Sequence, residues 1–170
     1  MANTYTLIAS NVLSSAAATI DFTSIPNTYT DLVIRLTTRS DLAANTNNLR
    51  FRINGDTATN YSNTELAASN GSAYSSRGSS QTFFLGYTNA ASTTSNTFTS
   101  SEFYIPNYLV SANKPFGFYQ AVENNGTYNE LGVFAGLWRN TAAITSLSIY
   151  FTSGNFVAGS SFYLYGISKN

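Results

Sequence analysis

Apolar residues recur at every second position along most of this chain. Leu32, Ile34 and Leu36 alternate with Val33, Arg35 and Thr37, and Leu49, Phe51 and Ile53 alternate with Arg50 and Arg52. Leu147, Ile149 and Phe151 alternate with Ser146, Ser148 and Tyr150. Shorter sets are Ile20 and Phe22 around Asp21, Phe83 with Leu85 and Tyr87, Phe103 with Ile105, Phe116 with Phe118, and Leu131 with Val133 and Ala135. Period two belongs to extended chain, which sends alternate side chains to opposite faces. Helical spacing is confined to Asp41 to Asn48 and to Ala16 to Ala18, both short and embedded in Ser, Thr and Asn. Turn formers separate the sets at Pro26-Asn27, Asn54-Gly55, Asn70-Gly71, Asn124-Asn125-Gly126 and Ser153-Gly154-Asn155. Roughly ten strands with such punctuation predict an all-β fold, an antiparallel β-sandwich that is jelly-roll-like, in one domain over 1–170. Asn54-Gly55, after an alternating run, predicts a hairpin. Asn60 to Gln81 and Thr88 to Thr97, with few large apolar residues, predict long loops or irregular edge segments.

The last alternating set is apolar on both sides. In Phe-Tyr-Leu-Tyr-Gly-Ile, residues 162 to 167, Phe162 and Leu164 share one face while Tyr163, Tyr165 and Ile167 share the other. Phe83-Phe84, Phe103-Tyr104, Phe118-Tyr119 and Leu137-Trp138 pose the same problem. A sandwich core accounts for one member of each pair, and the other needs a loop, a neighbouring chain or solvent. Interface cores are enriched in Tyr, Trp, Phe and Arg. The expected contact residues are therefore Tyr163, Tyr165, Ile167, Trp138 and Arg139, with a second copy of the chain or another protein as the cover.

Composition narrows the function. With 12 Tyr, 12 Phe and 1 Trp there is ample surface to bury, yet only 9 % of residues are charged, against about 25 % in an average domain. Eight basic and eight acidic residues cancel. That balance argues against a nucleic-acid or anionic-membrane partner, since both need clustered Lys and Arg. No apolar run approaches the roughly 20 residues of a membrane helix, and the N-terminus lacks the basic region of a signal peptide. Cys and His are both absent, which removes disulfides, thiol chemistry and any Ser-His-Asp arrangement. A carboxylate pair of glycosidase type is the remaining catalytic option. Asp21, Asp31, Asp41, Asp56, Glu65, Glu102, Glu123 and Glu130 are scattered singly, however, and spacing gives no reason for two of them, such as Glu102 and Glu123, to meet. Asn54-Gly55-Asp56-Thr57 and Asn124-Asn125-Gly126 lack the carboxylates of a calcium loop. Arg35, Arg50, Arg52 and Arg39 alternate with core residues and are expected on an outward strand face. The expectation is a non-enzymatic protein without cofactor or metal.

Larger segments add a likeness. MANTYTLIASNVLSS, FTSIPNTYTDLVIR, LRFRINGDTATNYS, IPNY at 105 to 108, NKPF at 113 to 116 and the ending GLWRNTAAITSLSIYFTSGNFVAGSSFYLYGISKN resemble short Ser/Thr/Asn-rich virion proteins of tailed bacteriophages, notably cyanophages and other aquatic phages. The resemblance covers nearly the whole chain. It implies a virion component made in the host bacterial cytoplasm, with no catalytic residues to carry over. Two roles follow from it. One is a capsid decoration or cement protein that binds the head shell, often as a trimer. The other is a tail-fibre or receptor-binding component that reads host glycans. The absence of stalk or coiled-coil heptads favours decoration.

Overall fold

The computed structural model describes residues 4–123 and 128–168, which form twelve strands and no helix. These are β1 (Tyr5–Val12), β2 (Thr19–Phe22), β3 (Asp31–Thr38), β4 (Thr46–Ile53), β5 (Tyr61–Ser69), β6 (Ser72–Gln81), β7 (Phe84–Asn89), β8 (Thr99–Ile105), β9 (Lys114–Glu123), β10 (Asn129–Trp138), β11 (Leu147–Tyr150) and β12 (Ser161–Ile167). They build two antiparallel sheets, one ordered β1-β12-β3-β8-β9-β10-β5-β6 and the other β2-β11-β4-β7. Stripped of β5, β6, β9 and β10, the orders become 1-12-3-8 and 2-11-4-7. That nesting is a jelly roll: each of the links β1–β2, β3–β4, β7–β8 and β11–β12 crosses between the sheets. The two remaining strand pairs are insertions. β10 pairs with β9 on one side and β5 on the other, so the insertions join each other and extend one sheet from four strands to eight.

Phenylalanine rings hold the sandwich closed. Phe51 on β4 stacks on Phe103 of β8 at 4.8 Å. Phe84 on β7 meets Phe116, Phe118 and Phe134 at 4.8, 5.4 and 5.6 Å. Each such pair contributes about 0.5–1.5 kcal/mol beyond the area it buries. The rings fit because glycine stands opposite them. A Cβ on Gly136 would lie 1.8 Å from the Phe116 ring, and one on Gly86 would lie 2.5 Å from Phe118.

This arrangement inverts two of the expected faces. On β7 it is Phe84 that points inward, leaving Phe83, Leu85 and Tyr87 half-buried on the other side. On β10 the inner row is Glu130, Gly132, Phe134, Gly136 and Trp138, and Leu131, Val133 and Ala135 face out. Alternation alone cannot choose between faces, and a one-residue shift exchanges them. Large rings with glycines between them won the interior over a uniform aliphatic row.

Three local expectations are also corrected. Asn60 to Gln81 is a hairpin, β5–β6, with a register shift between Tyr61 and Asn63 at its open end, closed by Asn70 and Gly71 with φ of 48° and 80°. β6 lies at the sheet edge with its side chains mostly exposed, so it carries no apolar pattern, and its pairing to β5 defines it. Asn54 and Gly55 do turn, with φ of 50° and 65°, but the chain then crosses to the other sheet and forms no hairpin there. Arg39 is buried and not on an outward face. Its Nη1 donates to Thr93 Oγ1 at 2.9 Å and to the Thr94 and Thr97 carbonyls at 2.8 and 2.9 Å. The loop after β7 is organised around that guanidinium. The Asn124-Asn125-Gly126 turn lies outside the described residues.

The packing gives a paired prediction. Gly136→Ala should destabilise the protein by about 1–3 kcal/mol, the usual cost of forcing atoms into a filled core. Gly117, on the outer side of β9, has nothing within 4 Å of a built Cβ. Gly117→Ala should be neutral or slightly stabilising, since alanine suits a strand better. Denaturant melts of both variants check this, and equal losses would contradict the packing.

Candidate docking face

Register carries single rows of side chains across all eight strands of the larger sheet. One row on its outer side reads Ser10, Tyr163, Arg35, Glu102, Tyr119, Val133, Leu66, Ser75 from β1 to β6. The next reads Leu7, Tyr165, Val33, Tyr104, Gly117, Ala135, Thr64, Arg77. On the opposite flank the row is Val12, Ser161, Thr37, Ser100, Ala121, Leu131, Ala68, Ala73. The outer face therefore has two halves. Over β1, β12, β3 and β8 it is aromatic and polar; over β9, β10, β5 and β6 it is aliphatic.

The aromatic half partly covers itself. Tyr163, Tyr165 and Ile167 are half-buried, while their strand neighbours Phe162 and Leu164 are fully buried. Tyr5 meets Tyr165 edge-on at 6.3 Å, and the Arg35 guanidinium lies 5.6 and 5.9 Å from the centres of those two rings. Val33, although it points outward, is only 1 % exposed beneath this layer. Much of the second face of β12 is thus sealed from within the chain.

The aliphatic half is not sealed. Leu66, Leu131 and Val133 are 66, 54 and 58 % exposed. With Ala68 and Ala73 they line a depression of about 290 Å3, and Tyr119 stands beside Val133 on the same row. These residues were missed as contacts because Leu131 and Val133 look like core. The signal that finds them is Phe134 between them, since the larger ring claims the interior.

Two expected contact residues lie elsewhere. Trp138 is 1 % exposed at the inner end of β10, so it offers no surface to a partner. Its indole Nε1 donates to Asp56 Oδ2 at 2.7 Å, and Asn60 Nδ2 donates to the same oxygen at 2.9 Å. Burial pushes the Asp56 carboxyl up, but these bonds and one from the Ala58 amide outweigh it and hold the group below its ordinary value. Arg139 is exposed and donates to the Thr59 carbonyl. The other arginines do not gather: Arg50 stacks on Phe83 and Arg52 on Tyr150, on the smaller sheet. Arg35 pairs with Glu102 at 3.1 Å on the larger one.

Beyond β7 the smaller sheet runs out, and the inner side of the extension turns polar. Glu65 and Glu130 are both buried there. Glu65 accepts from the Tyr74 and Ser76 hydroxyls at 3.0 and 2.7 Å. Glu130 accepts from Gln120 Nε2 at 2.6 Å and the Tyr128 hydroxyl at 2.7 Å. These two carboxylates share a neighbourhood; the Glu123 side chain lies outside the described residues. Both oxygens of each are engaged by side chains. Burial, with a smaller push from Glu65, raises the Glu130 carboxyl above its usual value.

No family model matches the chain, and no curated protein matches it.

The raised Glu130 sets a pH dependence. From its ordinary value of 4.5 up to the raised one, the folded chain holds a proton that the unfolded chain has released. Stability therefore falls as pH rises through that window. Glu130→Gln removes the titration and keeps one acceptor, and the Tyr128 hydroxyl can turn to accept from the amide. The variant should gain on the parent in melting temperature between pH 4 and pH 8. A difference that stays constant with pH would contradict the assignment.

Proposed function

We propose that this protein is a non-enzymatic structural component of a phage particle, most simply a capsid decoration protein, docked through the aliphatic half of its larger sheet. The observation that carries the reading is the cluster of Leu66, Leu131 and Val133, three aliphatic side chains each more than half exposed and set among alanines on the outer face. Support for a phage setting comes from the sequence resemblance, and the jelly roll is a common frame for shell-associated domains. The partner is a neighbouring protein of the particle. The cluster carries no charge, so a partner buries it without stranding an ion.

Energetics favour many copies over one tight pair. The three side chains leave on the order of 300 Å2 of apolar surface, worth about 7 kcal/mol when buried. Association in solution costs about 4–15 kcal/mol in lost freedom. A single contact is therefore marginal, and repetition on a symmetric shell supplies the rest.

The test is particle association. Leu131→Ser with Val133→Ser should leave the far-ultraviolet spectrum and melting point near those of the parent, since both side chains face out. Binding to particles that lack the protein should fall at least tenfold. Retention of the double variant at parental copy number defeats the docking face, and a copy number of a few to dozens moves the protein from head to tail. Release of the parent protein should also vary little between low and high salt, because screening acts on exposed charge. A steep salt dependence would instead implicate Arg35, Arg50 and Arg52.

A further inference from the structure

The outer face of the same sheet holds a second feature, a trough of about 370 Å3 over β12, β3, β8 and β9 lined by Arg35, Thr37, Ser100, Glu102, Tyr119 and Tyr163, with Leu36 and Ser101 behind them. Tyr163 and Tyr119 lie on one row, with Arg35 and Glu102 between them. Three strand spacings, about 14 Å, separate the two tyrosines. Thr37 and Ser100, on the next row, leave the depression between them because their side chains are short. Tyr163 also stacks on Tyr165 with centres 6.5 Å apart, which fixes the ring at that end.

The polar groups here have capacity to spare. The only bond between Arg35 and Glu102 runs from Nε to Oε2. A guanidinium has five N–H donors and a carboxylate has two acceptor oxygens. Among the described residues, the four Nη hydrogens of Arg35 and Oε1 of Glu102 make no hydrogen bond, although the guanidinium lies over the Tyr5 and Tyr165 rings. Both side chains are about half exposed, at 56 and 43 %, so a ligand reaches them without a rearrangement. Their charges cancel, which gives an anion no net attraction. The floor is hydroxyl-lined, which disfavours a purely apolar guest.

A neutral polyhydroxylated ring meets every one of these features. Its hydroxyls donate to Glu102 Oε1 and accept from Arg35, while its C–H faces lie against tyrosine rings, whose π faces are negative. We propose that this trough binds a neutral saccharide of two or three pyranose units, with Tyr163 and Tyr119 as the stacking platforms and Arg35 and Glu102 as the hydroxyl readers. The trough shares no lining residue with the Leu66, Leu131 and Val133 cluster, although Tyr119 at its end faces Val133 across the β9–β10 pair, and it does not depend on the docking reading.

The test is a nuclear magnetic resonance titration of the full chain with maltotriose, cellotriose, mannotriose and lactose, with sialyllactose as the anionic control. At least one neutral sugar should shift the amides of Thr37, Ser100, Glu102 and Tyr163 with a millimolar Kd. Tyr119→Ala and Glu102→Gln should each weaken that binding at least tenfold with unchanged melting points, and Tyr163→Ala should do the same if it folds. Leu66→Ser, which alters the docking cluster two strands away from Tyr119, should bind sugar like the parent, which separates failure of this site from failure of the docking face. No trough shifts with any neutral sugar, a preference for sialyllactose, or sugar binding indifferent to Tyr119 and Glu102 would each overturn the proposal.

Discussion

The steric exclusion between phenylalanine rings and the glycines facing them is the constraint on which the rest of the structure depends. Phe84 reaches rings on both inserted strands, Phe116 and Phe118 of β9 and Phe134 of β10. Those contacts tie the extension of the larger sheet to the smaller one. Phe51 on β4 adds a second link to Phe118 at 5.2 Å, so the inserted strands are held to the smaller sheet by rings as well as to their neighbours by backbone pairing. The rings close up to that distance only because positions 86 and 136 have no Cβ in the way. One packing solution thus selects which face of β7 and β10 is inside, and every outward residue on those strands follows from it.

The extension reaches further than the sheet it packs against, and that mismatch creates the polar interior. Where β7 ends the smaller sheet, no apolar layer remains to cover Glu65 and Glu130. Isolated buried carboxylates would be costly, so tyrosine, serine and glutamine side chains surround them with donors. Their hydroxyls bond the acids without adding charge, consistent with a chain that has few charged residues to spare. Arg39 follows the same logic with the opposite sign. It is a buried cation held by carbonyls and threonine hydroxyls, and the same burial lowers its pKa.

Much of this was legible in the sequence, and the failures have physical reasons. The layered antiparallel class followed from period two, and the split of β12 into Phe162 with Leu164 against Tyr163 with Tyr165 was read correctly. There the two faces differ in chemistry, with purely apolar Phe162 and Leu164 on one and tyrosines, whose polar tips tolerate water, on the other. β6 was unreadable as a strand because, at the edge, neither of its faces has to be apolar. β10 was readable as a strand but not as to face, since its inner row consists of Glu130, two glycines, Phe134 and Trp138. Trp138 was taken for a contact residue because tryptophan is common in interfaces, whereas its N–H is satisfied by Asp56, 82 positions earlier in the chain, which no local pattern reveals.

The exposed aliphatic cluster is not a register the chain could relax out of. Slipping β10 by one residue would bury Leu131 and Val133, but it would also expel Phe134 and Trp138 and turn Glu130 away from Gln120 and Tyr128. Those losses are several core side chains, each worth about 3–5 kcal/mol for a Phe or Trp, against about 7 kcal/mol for hiding three aliphatic side chains. The interior therefore wins, and the outward leucines and valine remain a fixed consequence of the fold. A surface of that kind persists in a protein either as a site of aggregation or as a site of contact. The two halves of the sheet differ in this respect: Tyr5, Arg35 and Tyr165 fold over Val33 on one, whereas the alanines around Leu66, Leu131 and Val133 leave nothing to fold over them on the other.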